Sequence, residues 1–203
     1  VPPSNPDRRR ALTDAAIDLL ASSGVHGLTH RTAERAAGLP TGTASNYFRN
    51  REALLVAAAE RVVELHLADM DAAADHQIGE PDLVELLTES LLGAATVLRD
   101  RYLAIFELRL EAVRRPELNK ALEGLQAVAT VFTQGHHAQL GLAIPPERVP
   151  GLMALYGGAL FTLVTAPLGT VTREGVEMIV RAMVFGGAPP PDPAAGSGRA
   201  VAG

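Results

Sequence analysis

The 203-residue sequence predicts an all-α protein. Alanine and leucine dominate an apolar fraction of 47%, and β-branched runs are scarce; both residues favour helix. Long segments repeat apolar positions at i, i+3, i+4 and i+7, the spacing of one helical face. Glycine or proline punctuates most junctions between them. Together these predict about nine helices and no strand.

In chain order, Val1–Pro6 is a proline-rich, aperiodic lead, expected to be mobile. Ala11, Leu12, Ala15, Ala16, Leu19 and Leu20 make an apolar face on a helix over Asp7–Ser23, with Gly24 as its stop. Thr29 is a good N-cap for a second helix over His30–Ala37, ended by Gly38. Leu39-Pro40 supplies a turn, and a third helix is expected over Thr41–Phe48. Glu52–Asp75 reads as a long amphipathic helix, interrupted by Ile78–Pro81. Leu83–Val97, Tyr102–Val113, Leu118–Leu142, Glu147–Thr165 and Arg173–Phe185 follow as helices. The tail is low-complexity and expected to be disordered. The natural boundaries give a first domain at 7–51, a larger helical domain at 52–186 and a tail at 187–203.

Composition narrows the function classes. The chain has no cysteine, which rules out disulfides and Cys-ligated metal. No uninterrupted apolar run reaches the roughly 18 residues of a membrane span, so a cytoplasmic protein with no membrane partner is expected. No Ser/His/Asp order, phosphate-cradling glycine loop or metal-spaced cluster appears. We therefore expect no enzyme, no cofactor and no metal. The net charge of −5 is unevenly distributed: seven arginines (8, 9, 10, 31, 35, 49, 51) against Asp7, Asp14, Asp18 and Glu34 leave residues 1–51 at +3 and the remainder at −8. A basic end on an acidic body suits a polyanionic partner.

That basic end carries Leu28–Leu54, LTHRTAERAAGLPTGTASNYFRNREAL, which reads as two short helices joined by a tight turn. A helix-turn-helix places its second helix in the major groove of double-stranded DNA. Leu12, Ile17, Leu20, Val25, Leu28, Ala33, Ala36, Leu39, Ala44 and Phe48 supply a small core. With Ala44 and Phe48 inward, Thr41, Thr43, Ser45 and Asn46 are expected outward or to the flanks, offering hydroxyls and an amide to base edges and phosphates. Gly42 permits close backbone approach. Thr29 at a helix start, with Arg31, Tyr47 and Arg51, suits phosphate contact.

The order of residues from Ala11 to Leu54 resembles the TetR family of transcriptional regulators. The resemblance rests on Gly24, Leu28-Thr29, Ala37-Gly38, Gly42-Thr43, Tyr47-Phe48 and Arg51-Glu52-Ala53-Leu54. It implies an N-terminal DNA-binding module and a helical C-terminal domain that dimerises and binds a small-molecule effector. The expected function is a ligand-responsive regulator, a repressor released from its DNA operator by that effector. This chain departs from the pattern at four positions. Pro40 stands where Ser or Thr is frequent, removing a side-chain cap from the third helix. Ser45 replaces a common aromatic, and Ala44 a larger aliphatic. Glu34 replaces a small residue and is expected to turn toward solvent.

The resemblance assigns the last two helices to a homodimer interface, and their apolar patterning agrees. Leu152, Tyr156, Ala159 and Leu163 are candidates on one helix; Val176, Ile179, Val180 and Met183 form a stripe on the other. An effector site is expected among the middle helices, with Tyr102, Phe106, Arg109, Val113, Thr130, Gln134, His137 and Tyr156 as candidates. Arg109 has an alternative role in an internal pair with Glu107 or Glu111. An aromatic content of 4% argues for an aliphatic or polar effector over a flat polyaromatic one.

Overall fold

The computed structural model describes residues 5–75, 82–123 and 145–186, and among them every regular element is helical. Helix α1 spans Pro6–Gly27, α2 His30–Ala36, α3 Arg51–Asp75, α4 Leu83–Ala95 and α5 Arg99–Ala112. Helix α6 is described over 116–123. Helices α7 (Val149–Thr165) and α8 (Arg173–Phe185) close the fold.

Local chemistry sets the first boundaries. Asn5 caps α1: its side-chain oxygen accepts from the Asp7 N–H at 2.9 Å and the Arg8 N–H at 3.3 Å, with Pro6 in the first turn. Gly24 breaks the α1 geometry at φ +65°, a conformation that favours glycine, and one further turn runs to Gly27. Thr29 caps α2 reciprocally with Thr32: the Thr32 N–H donates to the Thr29 hydroxyl at 3.1 Å, and the Thr29 N–H to the Thr32 hydroxyl at 2.8 Å.

The third predicted helix is the main departure. Thr41–Phe48 is not an α-helix; only Ala44–Asn46 is regular, as one 3₁₀ turn. Its bonds run mostly i to i+3: Thr43 N–H to Pro40 C=O, Asn46 N–H to Thr43 C=O, Tyr47 N–H to Ala44 C=O, with one i to i+4 bond, Phe48 N–H to Ala44 C=O, at its end. Gly42 at φ +89° is incompatible with helix, and Thr, Ser and Asn favour turns over helix interiors. Such a short segment has little to offset these preferences.

Two hydrophobic cores follow. The first joins α1, α2, the 3₁₀ turn, α3, α5 and α6 through Leu12, Leu20, Leu28, Phe48, Leu54, Leu55, Val62, Leu108 and Leu118. It crosses the sequence boundary at Arg51, so α1 packs on α5 as well as on its own domain. The second joins α4, α7 and α8 through Leu91, Leu160, Val164, Val176 and Val180. Tyr102 packs against both. Of the expected small core only Ala36 lies outside, at the surface; Leu39 is half-buried. No helix among the described residues is long and apolar enough to cross a membrane.

Candidate nucleic-acid interface and effector region

The turn that follows α2 is held by a residue expected to face solvent. Glu34 is 3% exposed, and its side-chain oxygen accepts the Ala44 N–H at 2.8 Å. Pro40 leaves the recognition segment without a local side-chain cap, and Glu34 supplies one from the preceding helix. Its C=O also accepts the Leu39 N–H at 2.9 Å, so one residue fixes both ends of the turn. The expectation of a solvated Glu34 is thus overturned. A buried N–H without a partner is costly, and Glu34 is the side chain that meets the one at Ala44.

Thr43, expected outward or to the flanks, is buried instead, and its hydroxyl donates to the Pro40 C=O at 2.6 Å. Thr41, Gly42, Ser45 and Asn46 are exposed. Thr29 and Arg31 are exposed at the start of α2. Tyr47 is half-buried, with its ring 6.4 Å from that of Phe48 and its hydroxyl accepting the Asn5 N–H at 3.3 Å. Arg51, read as a phosphate contact, is half-buried; its guanidinium donates to the Leu28 C=O at 2.7 Å and to the Val25 C=O. These bonds close the end of α1 against the start of α3, so they commit part of the guanidinium to the fold.

Glu107 on α5 reaches the same loop from the opposite side, accepting the Val25 N–H at 2.9 Å. A Cβ at Gly24 would lie 3.3 Å from the Glu107 carboxyl, so this close approach suits glycine as well as the positive φ does. The Gly24–Leu28 connection is therefore clamped between α3 and α5. Sequence reasoning assigned Glu107 only as an alternative partner of Arg109. A bond across 82 residues leaves no local signal.

In the body, Tyr102 lies edge-on to His66 of α3 at 6.0 Å. Phe106 lies edge-on to Phe161 of α7 at 5.1 Å. The Tyr156 hydroxyl of α7 and the Ser90 hydroxyl of α4 are hydrogen-bonded at 2.7 Å. Four of the chain's eight Tyr and Phe residues thus gather where α3, α4, α5 and α7 meet. Burial raises the Tyr102 and Tyr156 hydroxyl pKa values. Burial, then the nearby Arg101 charge, holds the His66 imidazole below its ordinary value and favours the neutral ring. His66, Ser90 and Phe161 were not among the sequence candidates.

Val113, a candidate here, is 83% exposed at the end of α5 and does not line this region. Arg109 is exposed. Glu111 is held by Arg115 at 2.8 Å and by Arg114 at 3.6 Å, which keeps its carboxyl pKa low. Thr130, Gln134 and His137 lie outside the described residues. Among the candidate interface residues, Leu163, Val176 and Val180 are buried within the protomer; Leu152, Tyr156, Ala159, Ile179 and Met183 are half-buried. Val176 and Val180 of the α8 stripe pack against α4 and α7. Leu155, Phe161, Met178 and Phe185 instead remain exposed on α7 and α8.

An N-terminal helix-turn-helix with a basic, hydroxyl-rich surface, packed on a helical body, defines a DNA-binding transcriptional regulator. Residues 12–58 match the bacterial regulatory proteins, tetR family, and residues 79–186 match the tetracyclin repressor-like C-terminal domain. The chain belongs to the TetR family, whose members are DNA-binding regulators and not enzymes.

Among its relatives, the HTH-type transcriptional regulator BetI of Klebsiella pneumoniae (strain 342) is 42% identical over 52 residues, 26% of this chain. That match spans only 27% of BetI. The fold is similar to that of the Streptomyces coelicolor A3(2) protein SCO7518, with a TM-score of 0.67 and 20% identity over 89% of this chain and 99% of that one. It is also similar to the multidrug binding protein EbrR complexed with ethidium, with a TM-score of 0.61 and 28% identity over 87% of this chain and 98% of EbrR.

Proposed function

We propose that this protein is a cytoplasmic, ligand-responsive repressor that binds a two-fold DNA operator as a homodimer and leaves it when a small molecule binds the helical body. Residues 7–51 would read DNA and residues 52–186 would bind the effector and dimerise. The observation that carries this reading is the sorting of the turn after α2. Thr43, Ala44 and Phe48 anchor it inward, while Thr41, Gly42, Ser45 and Asn46 stand together at the surface. Asn46 is the candidate base reader, since its amide can pair bidentately with adenine. Thr29, Arg31 and Tyr47 are the phosphate contacts. Arg51 serves as the brace behind them.

Coupling to the body is supported by α5. It carries Tyr102 and Phe106 in the aromatic cluster and, one residue on, Glu107 against the α1–α2 loop. A ligand that wedges between α3 and α5 would move that contact together with the α3 lever. Two recognition segments must meet half-sites spaced by whole DNA turns, so a shift of a few ångströms weakens the pair. The clustered aromatics favour a ligand with a flat aromatic part, as EbrR's ethidium has, over the aliphatic one that composition suggested. The exposed Leu155, Met178 and Phe185 on α7 and α8 favour that face as the contact between two copies.

The test is an electrophoretic mobility shift with DNA from the gene's own upstream region. Asn46→Ala and Tyr47→Ala should weaken the shift while the oligomeric state persists. Ethidium and proflavin, titrated into the complex, should release the DNA. Unaltered affinity in both variants would refute the reading face.

A further inference from the structure

The opening turn of α1 carries three consecutive arginines, Arg8, Arg9 and Arg10, that take no part in the helix-turn-helix reading above. One contact places them. The Asn5 N–H donates to the Tyr47 hydroxyl at 3.3 Å, tying the start of α1 to the end of the recognition segment across 42 residues. With that oxygen accepting from Asn5, the hydroxyl proton of Tyr47 remains available to a phosphate oxygen.

Successive residues on a helix are about 100° apart, so the three arginines fan out around the helix start. Arg9, exposed like its neighbours, lies over the core edge: its guanidinium sits 5.6 Å from the Phe48 ring centroid and 3.6 Å from Glu60. Arg8 and Arg10 flank it on either side, both exposed. Arg10 has only Asp7 at 3.9 Å, between two well-solvated groups, and such pairs contribute little. Arg8 has no carboxylate within 4.0 Å among the described residues. In the body, by contrast, Arg61, Arg101, Arg115, Arg173 and Arg181 each hold a carboxylate.

We propose that the start of α1 is a second phosphate-contacting surface, on which Arg8, flanked by Arg10, meets the duplex backbone beside Tyr47. It rests on the DNA-binding reading above and extends it to residues outside the helix-turn-helix. Charge complementarity and continuity with the Tyr47 edge select a nucleic-acid backbone as the partner. An exposed, unpaired guanidinium suits phosphate oxygens without regard to base sequence. Arg9 differs from Arg8 in having Phe48 and Glu60 beside it.

The experiment is fluorescence anisotropy of the full chain with two labelled duplexes, one random in sequence and one from the gene's upstream region, over a series of salt concentrations. Arg8→Ala should weaken binding to both duplexes by a similar factor. It should also lower the slope of log affinity against log salt by about 0.9 for each phosphate no longer neutralised, hence about 2 when two copies share one duplex. Arg8→Lys should preserve the slope. Arg173→Gln, which removes a body cation already held by Glu85 and Glu89, should leave it unchanged.

A wild-type slope in Arg8→Ala, beside weakened binding in Tyr47→Ala, overturns this proposal and leaves the DNA-reading face intact. Loss confined to the upstream duplex also overturns it, because that is base readout. If the unaltered chain binds neither duplex at low salt, the DNA-binding reading fails and this proposal falls with it.

Discussion

Replacing Glu34 by alanine isolates the bond that holds the recognition segment. The carboxyl is buried at 3% exposure and accepts the Ala44 N–H at 2.8 Å. Ala44 is itself fully buried, at 0% exposure, and so is its surrounding core at Leu28 and Ala33. Leaving a buried N–H without an acceptor costs roughly 1–3 kcal/mol, so we take about 2 kcal/mol for Glu34→Ala. For a chain of this size each kcal/mol shifts the melting temperature by about 2–4 °C, which predicts a fall of about 4–8 °C in differential scanning calorimetry. Glu34→Gln keeps an acceptor oxygen in place and should lose less than half as much. DNA affinity should follow the same order, because the segment bearing Ser45 and Asn46 loses its anchor. A melting temperature and DNA affinity both unchanged in Glu34→Ala would refute the assignment of Glu34 as the cap.

Three further outcomes follow from other contacts. Glu107→Ala removes the acceptor for the Val25 N–H, so amide exchange at Val25 should speed up markedly while exchange in α8 is unchanged; hydrogen exchange read by NMR checks this. His66 has a lowered pKa in the folded chain and an ordinary value of 6.5. The unfolded chain then binds the proton more readily, so stability is fully present above about pH 6.5 and is lost as pH falls through that value toward the folded pKa. Thermal melts from pH 7.5 down to about pH 5.5 should show this acid loss, and it should be smaller in His66→Gln. Met178 is 66% exposed and Leu155 58% exposed on α8 and α7. Placing charge there in the double variant Leu155→Glu/Met178→Glu should give a folded monomer by size-exclusion chromatography with light scattering, and weaken operator binding at least tenfold; a persistent dimer would refute that face.

Helices α3 and α8 were legible because each is long enough for its apolar period to outweigh local preferences, whereas most of the expected Leu118–Leu142 lies outside the described residues. The expected Glu52–Asp75 and Arg173–Phe185 agree with α3 and α8 within a residue. Thr41–Phe48 was not legible as a turn. Eight residues with Pro40 before them and Gly42 within them have too few helical bonds to impose a period. The α8 stripe shows a different limit: Val176 and Val180 are as apolar as an interface requires, but periodicity reports that a face is buried and does not say against what. Here the face is buried against α4 and α7 of the same chain.

The helical class, the helix-turn-helix location and the family could be read from the order of residues, since these depend on local spacing and on residue types within a few turns. Gly24, Thr29 and Gly38 announced breaks and caps that chain geometry alone demands. Tertiary structure decided which polar groups are used up inside the fold and which remain for DNA. Glu34 bonds ten residues away to Ala44, Arg51 closes back onto Val25 and Leu28, and Glu107 reaches Val25 from α5. The partner of a buried polar group is fixed by which helices pack together, and a one-dimensional pattern does not contain that distance.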